Sequence, residues 1–216
     1  GLGHEPRNRA LGVSFGKPLD DMRRYVTTVR DLLEGRTAYR DLPAQTYQGE
    51  RLTIRRPAQA VPIMMAASGP RMVALAGELA DRVSLSFTPL ASLPAVRAQA
   101  DAGARRAGRA AGTVPLDLMV HAVVDEDLGK AREAARAALA YWVGLPRFNL
   151  AVREAGFPEE AARIRHAFAR GDQAGIRAAT TDAVVEAFAL VGPPGRIRDR
   201  IDGLRAQGLD VPILLP

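Results

Sequence analysis

The chain has 216 residues, of which 47% are hydrophobic, and we predict a single packed domain over residues 1–216. The absence of cysteine excludes disulfides and thiolate chemistry, which fits a cytoplasmic protein. The net charge is +6, but the arginines alternate with acidic residues and alanines and form no basic patch of the kind that binds nucleic acid. No apolar run approaches the roughly 18 residues that a membrane span needs. We therefore expect neither nucleic acid nor a membrane as a partner.

Short apolar runs alternate with amphipathic segments along the chain, which predicts an α/β protein with a parallel sheet and helices outside it. The 61–67 run is apolar throughout and indicates a strand buried on both faces. In the next strand, Val83, Leu85 and Phe87 alternate with serines, so these three side chains are expected on one side. The first predicted elements are a helix that begins at Asp20 and Asp21 and ends at Gly35, and a hairpin within 41–57. The middle of the chain is predicted to contain strands over 61–67, 83–87 and 116–124, with helices from Pro70 to Asp81, over 93–110 and over 128–143. The last predicted elements are a helix from a capping Asp182 to Leu190, a helix that ends at Gly208, and a strand over 211–215.

Residues 144–182 depart from the strand–helix alternation. Prolines and glycines divide them into short helical pieces. We interpret this segment as a helical insertion before the last strand. The dividing residues are Pro146, Gly156, Pro158 and Gly171.

A turn of small residues joins the 61–67 strand to the helix after it. Ser68 and Gly69 let the backbone turn sharply without side-chain cover, and Pro70 suits the first helical position. The unpaired N–H groups of a helix N-terminus favour an anion, and Arg71 adds a positive charge. The sequence therefore predicts an anion site here, with an ordinary ligand-free βα turn as the alternative.

The turn belongs to a longer motif, Ala66–Met72 followed by Leu75–Val83. Four further segments accompany it along the chain. They are Gly1-Leu2-Gly3 with Glu5-Pro6 and Arg9–Gly12, Tyr47-Gln48-Gly49 with Leu52, Val191-Gly192-Pro193-Pro194 with Ile197, Arg200 and Ile201, and Gly208-Leu209-Asp210. In these motifs and their order the chain resembles the luciferase-like monooxygenase superfamily, and within it the branch that uses the deazaflavin coenzyme F-420 and includes methylenetetrahydromethanopterin reductases.

The resemblance implies a (β/α)8 TIM-barrel type of fold. It further implies that only the end of the fourth strand and strands five to eight are present. In the family the earlier half supplies much of the flavin-ring and substrate contact. This chain alone is therefore expected to be inactive, and its open sheet edges are expected to make it a homo-oligomer.

The resemblance also implies a cofactor site. In the family, Ala66 and Ala67 lie against the cofactor, and the loop formed by Ser68, Gly69, Pro70 and Arg71 holds its phosphate with backbone N–H groups. The implied activity is hydride transfer between coenzyme F-420 and a small organic substrate. An FMN-dependent monooxygenase is the alternative, because the phosphate loop serves both cofactors. A third hypothesis is a non-catalytic half-barrel that acts through protein–protein association.

Catalytic residues are harder to assign. His4 and Glu5 lie where the family places loop residues over the site, and such a pair could handle a proton, although an exposed loop pair is the alternative. His121 falls in an apolar strand and is expected to be a core histidine with one hydrogen-bond partner. The three histidines lack ligand spacing, so we predict no metal site. Tyr141 and Trp142 are expected to be packing residues.

Overall fold

A computed structural model describes residues 5–12, 16–36, 46–47, 50–51 and 56–216. The chain divides into two compact units, each with its own internal packing. Unit 1 consists of Gly1–Val83 and Gln99–Val114, and unit 2 consists of Ser84–Ala98 and Pro115–Pro216.

Helices and short strands alternate through the described residues, and none of the described helices has an apolar stretch long enough to cross a membrane. The helices are α1 (Glu5–Ala10), α2 (Pro18–Leu33), α3 (Pro70–Leu79), α4 (Leu93–Arg106), α5 (Leu128–Gly144), α6 (Pro146–Glu154), α7 (Pro158–Ala169), α8 (Gln173–Ala179), α9 (Asp182–Phe188) and α10 (Pro194–Ala206). The strands are β1 (Thr46–Tyr47), β2 (Glu50–Arg51), β3 (Met64–Ala66), β4 (Arg82–Ser86), β5 (Leu116–Val124), β6 (Ala189–Gly192) and β7 (Val211–Leu215).

In unit 2, β5 pairs in parallel with both β6 and β7. Its first part is in register with β7, where Asp117 lies opposite Val211. Its last part is in register with β6, where Val124 lies opposite Gly192. The parallel pairing confirms the α/β class predicted from the alternation of strands and helices.

The segment predicted as a helical insertion contributes to the core of unit 2. The small and branched side chains of α5 to α9 and β6 pack into one buried cluster that includes Leu139, Ile164 and Val185, each fully buried. The buried amide of Asn149 on α6 donates hydrogen bonds to the Ala161 carbonyl (2.9 Å) and the Val143 carbonyl (3.3 Å). These bonds join three helices, so the insertion is a packed helical layer.

Several predicted elements are confirmed. The strands over 116–124 and 211–215 are present with the predicted bounds, and residues 144–182 form three helices before α9. The hairpin within 41–57 contains β1 and β2, which pair antiparallel, while Gln48, Gly49 and Leu52 lie outside the described residues. The helices predicted to reach 81 and 110 end earlier, at Leu79 and Arg106.

The prediction of a strand over 61–67 buried on both faces is wrong. Only Met64–Ala66 is strand, and its burial alternates, because Met65 is 1% exposed and Met64 is 50% exposed. Pro62 has no N–H to give to a neighbouring strand, and the N–H of Ile63 donates to the Asp81 carboxylate (2.7 Å). These backbone groups are therefore not available to lengthen the strand.

The helix predicted from a capping Asp182 to Leu190 is present, but its cap and its end differ from the prediction. Thr181 is the N-cap, its hydroxyl accepting from the Val184 N–H, and the helix ends at Phe188. The following strand, β6, is buried along its length. Arg200 on α10 donates to the Glu186 carbonyl (2.7 Å) and the Ala189 carbonyl (3.1 Å). This long-range contact holds the transition from helix to strand, and no local pattern contains it.

Phe87 also departs from its prediction, because β4 ends at Ser86 and Phe87 adopts a positive φ of 48°. Its ring stacks on Phe188 with centroids 4.4 Å apart and contacts Phe148 at 5.0 Å. Trp142 meets Phe148 edge-on at 5.5 Å, as expected for a packing residue. The aromatic contacts offset the cost of a left-handed backbone at a bulky residue.

One carboxylate in unit 2 collects three arginines. Glu186 pairs with Arg132 and Arg196 at 2.6 Å each and with Arg200 at 3.5 Å. Burial opposes ionisation of this carboxyl, but the hydrogen bonds from Arg132 and Arg196 outweigh it and lower the pKa of Glu186 below its ordinary 4.5.

We expect Glu186→Gln to reduce the free energy of unfolding by about 1–2 kcal/mol at pH 7, since it removes charge-assisted hydrogen bonds. Because the folded-state pKa is lowered, the stabilisation is complete above the ordinary carboxyl pKa and is lost as pH falls through the folded-state value. Urea denaturation of both proteins between pH 7 and pH 3 measures the difference. If the difference in unfolding free energy between the two proteins stays the same at pH 3, the ionised Glu186 carboxylate is not the source of the stabilisation.

Candidate functional site: a glycine turn at the N-terminus of α3

The start of β3 is fixed by one carboxylate. Asp81 accepts the Ile63 N–H at 2.7 Å and the Arg30 guanidinium at 3.0 Å, both on Oδ2. The Ile63 carbonyl accepts in return from the N–H of Asp81 (2.9 Å) and that of Arg82 (3.3 Å). The strand that leads into the glycine turn is therefore tied to α2 and to the end of α3.

The turn itself depends on a glycine. Gly69 is the N-cap of α3, with φ 79° and ψ 153°, a backbone conformation that is essentially restricted to glycine. Its carbonyl accepts the Val73 N–H at 3.0 Å, which closes the first helical turn. Pro70 occupies the first position, and the N-cap Gly69 has no side chain that could cap the helix. A glycine N-cap of this kind lets a ligand approach the first amides of the helix.

The four residues predicted to hold a phosphate form this turn and the start of α3. Ser68, Gly69, Pro70 and Arg71 are all exposed, and the first turn of α3 contains no acidic residue. Within the described parts of the chain, Arg71 forms no ion pair. The turn therefore combines the start of a helix with an exposed arginine, and these features suit a phosphate. Of the two predicted alanines, Ala66 is exposed and Ala67 is 6% exposed.

Close helix packing holds α3 in place. A Cβ built on Gly77 would lie 2.8 Å from the Ala100 carbonyl carbon, and one on Gly103 would lie 2.8 Å from that of Ala74. The backbones of α3 and α4 are therefore in direct contact. The Arg109 side chain donates to the carbonyls of Ala80 (2.8 Å) and Gly77 at the C-terminal end of α3. The site is thus built on a rigid helix, as precise ligand placement requires.

A cleft of about 450 Å³ borders the turn through Pro70 and Arg71. Across it, Glu78 accepts two hydrogen bonds from Arg23 (2.6 and 2.9 Å), and Arg106 approaches at 3.5 Å. The hydrogen bond from Arg23 lowers the pKa of Glu78 against the opposing effect of burial. Sequence reasoning missed this cluster because its members are up to 83 positions apart and no motif unites them.

The catalytic candidates find less support. His4 lies outside the described residues, and Glu5 is the first residue of helix α1, whereas the sequence placed it in a loop. His166 is exposed and contacts Arg170. A search of the described residues finds no group of three His, Cys, Asp or Glu that could hold a metal ion.

Relatives of known activity align with nearly the whole chain. A 5,10-methylenetetrahydromethanopterin reductase from Archaeoglobus fulgidus is 29% identical over 215 residues, which are 97% of this chain and 64% of that protein. The corresponding reductase from Methanolobus tindarius is 29% identical over 210 residues, with the same shares. The chain thus spans 64% of the length of these relatives.

Solved structures show the same fold. A coenzyme F-420-dependent tetrahydromethanopterin reductase from Methanopyrus kandleri matches with a TM-score of 0.78 at 23% identity, over 100% of this chain and 67% of that one. An F-420-dependent secondary alcohol dehydrogenase matches with a TM-score of 0.64 at 19% identity, over 96% of this chain and 59% of that one. That the strands are the fifth to eighth of a barrel stays a prediction.

The model of the family "Luciferase-like monooxygenase" matches residues 2–211. This match covers almost the entire chain and includes the glycine turn. The chain therefore belongs to the luciferase-like monooxygenase family.

Proposed function

We propose that the protein is an F-420-dependent oxidoreductase and that the Ser68–Gly69 turn binds the phosphate of the cofactor. The observation that carries the proposal is the N-terminus of α3, whose N-cap is an exposed glycine at φ 79°. The F-420-dependent reductase and the F-420-dependent alcohol dehydrogenase that share this fold support the choice of cofactor class. The small-molecule substrate is expected to be an organic hydride acceptor or donor.

In this proposal the protein binds and positions, and the deazaflavin ring supplies the hydride chemistry. Backbone N–H groups at the start of α3 hold the phosphate, and Arg71 adds charge beside it. Since Pro70 restricts the backbone and Gly77 fixes the packing of α3, the phosphate is held at a defined point. A defined phosphate position places the attached ring within a narrow range, which hydride transfer requires.

FMN is the alternative cofactor, because the turn would contact only the phosphate and would not distinguish a flavin ring from a deazaflavin ring. Some fold neighbours are monooxygenases, such as a long-chain alkane monooxygenase with a TM-score of 0.56 at 16% identity. Equilibrium titration with F-420 and with FMN, each followed by its own absorbance, separates the two. Tighter binding of F-420 than of FMN supports the proposal. Binding of FMN alone contradicts it.

We further propose that the protein self-associates through the sheet of unit 2. Apolar side chains on one face of this sheet remain accessible, with Met119 38% and Val211 39% exposed. The register of β5 with β7 places both on the same face. Such a surface is costly in water and typical of an interface. We expect light scattering to give at least a dimer mass, and Met119→Glu to shift it toward the monomer. A wild-type monomer at micromolar concentration contradicts this.

A further inference from the structure

The cleft beside the glycine turn lies between helices of unit 1. One side of it is a single face of α3, because the lining residues of that helix are spaced at helical intervals. They are Arg71, Ala74, Leu75 and Glu78. The start of α2 and Arg106, the last residue of α4, also line the cleft. Its volume of about 450 Å³ lies within the range of small-molecule sites.

The cleft begins at the turn that we assign to the phosphate. Pro70 and Arg71 belong to the first turn of α3 and also line the cleft. Glu78 follows Arg71 by seven residues, which places it about 10 Å further along the helix axis. A group attached to a phosphate on the turn can therefore enter the cleft directly and run along this face of α3.

The charges that line the cleft favour an anion. Its three arginines outnumber its two carboxylates, those of Asp20 and Glu78, so the lining has a net charge of +1. Arg23 is already engaged, since it donates two hydrogen bonds to Glu78 (2.6 and 2.9 Å). Arg71 forms no ion pair with any residue that the structure describes. Positive charge is therefore left for a ligand near the turn and, at the far end, on Arg106.

The guanidinium of Arg106 is only partly used. Its Nε lies 3.5 Å from Oε2 of Glu78, and its side chain is 53% exposed. Among the described residues, its two terminal amino groups have no hydrogen-bond partner. Such a planar group can bind a carboxylate through two parallel hydrogen bonds. Glu78 thus draws the side chain toward α3 and leaves its terminal groups to a ligand.

We propose that this cleft binds a carboxylate that extends from the phosphate on the Ser68–Gly69 turn, and that Arg106 is the partner of that carboxylate. The choice of ligand rests on the proposed function, but Arg106 lies outside the turn. Ala74 and Leu75 line the middle of the α3 face and suit the methylene groups of such an extension. Because the extension reaches the cleft only from a phosphate held on the turn, Gly69→Asp should remove both contributions to affinity.

Three probes with the same deazaflavin ring separate the cleft from the turn. They are the nucleoside, its methyl phosphodiester, and F-420, in which carboxylates follow the phosphodiester. The methyl phosphodiester has the phosphate charge of F-420 but lacks the extension, so comparing these two isolates the cleft. In fluorescence titrations at physiological salt, we expect the wild type to bind F-420 about fivefold tighter than the methyl phosphodiester, the value of one partly exposed charge pair. This comparison needs no variant, so it does not depend on how a substitution affects folding.

Arg106→Gln and Arg105→Gln form a matched pair of variants. Both arginines lie in the last turn of α4 and are exposed, but of the two only Arg106 lines the cleft. Each change therefore removes the same charge from the same end of the helix. We expect Arg106→Gln to bind F-420 about fivefold more weakly than the wild type, with the affinity for the methyl phosphodiester unchanged. Arg105→Gln should bind both probes within about twofold of the wild type, because salt screens a charge outside the cleft.

The outcomes are distinct. Equal affinity of the wild type for F-420 and the methyl phosphodiester, or equal losses in Arg106→Gln and Arg105→Gln, overturns the inference and leaves the phosphate turn intact. A loss in Arg106→Gln that is as large for the methyl phosphodiester as for F-420 also overturns it, because Arg106 then acts on the phosphate and not on the extension. If the methyl phosphodiester binds no tighter than the nucleoside, the turn does not hold a phosphate, and both this inference and the proposed function fail.

Discussion

Gly77→Ala and Gly103→Ala are each expected to reduce the free energy of unfolding by about 3 kcal/mol or more, which lowers the melting temperature by roughly 6–12 °C. In each case the added methyl group would overlap a backbone carbonyl of the facing helix. Backbone atoms cannot rotate away as a side chain can. The helices must therefore separate, and the buried Ala76 and Ala100 lose their close packing. Thermal and urea denaturation measure the effect.

Gly203→Ala is the matched control. Gly203 lies inside α10, and a Cβ there meets nothing within 4 Å. The same change should stabilise the protein by up to about 1 kcal/mol, since alanine is the better helix former. Equal stability effects at Gly77 and Gly203 would show that the helices do not cross as described.

Gly69→Asp is expected to weaken the binding of F-420 by roughly 100-fold, equivalent to two charge-assisted hydrogen bonds of about 1.5 kcal/mol each. The carboxylate would occupy the start of α3 and repel the phosphate. Aspartate also resists the φ of 79° at this position, so the turn itself would distort. Fluorescence titration of both proteins with F-420 measures the change.

Gly108→Asp separates the strain from the site. Gly108 also has a positive φ, of 72°, and a Cβ there meets nothing within 4 Å. Any general cost of aspartate in a left-handed position should therefore lower stability in both variants, while F-420 affinity falls only in Gly69→Asp. Affinity that is unchanged in Gly69→Asp would remove the turn from the site.

The features that follow local rules could be predicted from the sequence. The Leu116–Val124 strand is an apolar run of nine residues, and Asp127 caps the helix after it by accepting from the N–H groups of Gly129 and Lys130. The glycine turn could be predicted as well, because Gly69 allows a positive φ and Pro70 favours the first position of a helix. The family resemblance then gave that turn a ligand class.

The features that depend on distant residues could not be predicted. Strand β6 has only four residues, and Arg200 helps to define where the preceding helix ends. The apolar run before Met64 predicts a strand, but the N–H of Ile63 donates to the Asp81 carboxylate and not to a neighbouring strand. The register of β5 with both β6 and β7 meets at His121, and no single segment encodes that pairing.

The affinity of the wild-type protein for F-420, compared with its affinity for the same deazaflavin nucleoside without the phosphate, tests the central claim most directly. If the Ser68–Gly69 turn holds the phosphate, F-420 should bind at least about tenfold tighter, and increasing salt should narrow the difference. The difference should disappear in Gly69→Asp. Equal affinities in the wild type, or a difference that persists in Gly69→Asp, would contradict the assignment of this turn as the phosphate site.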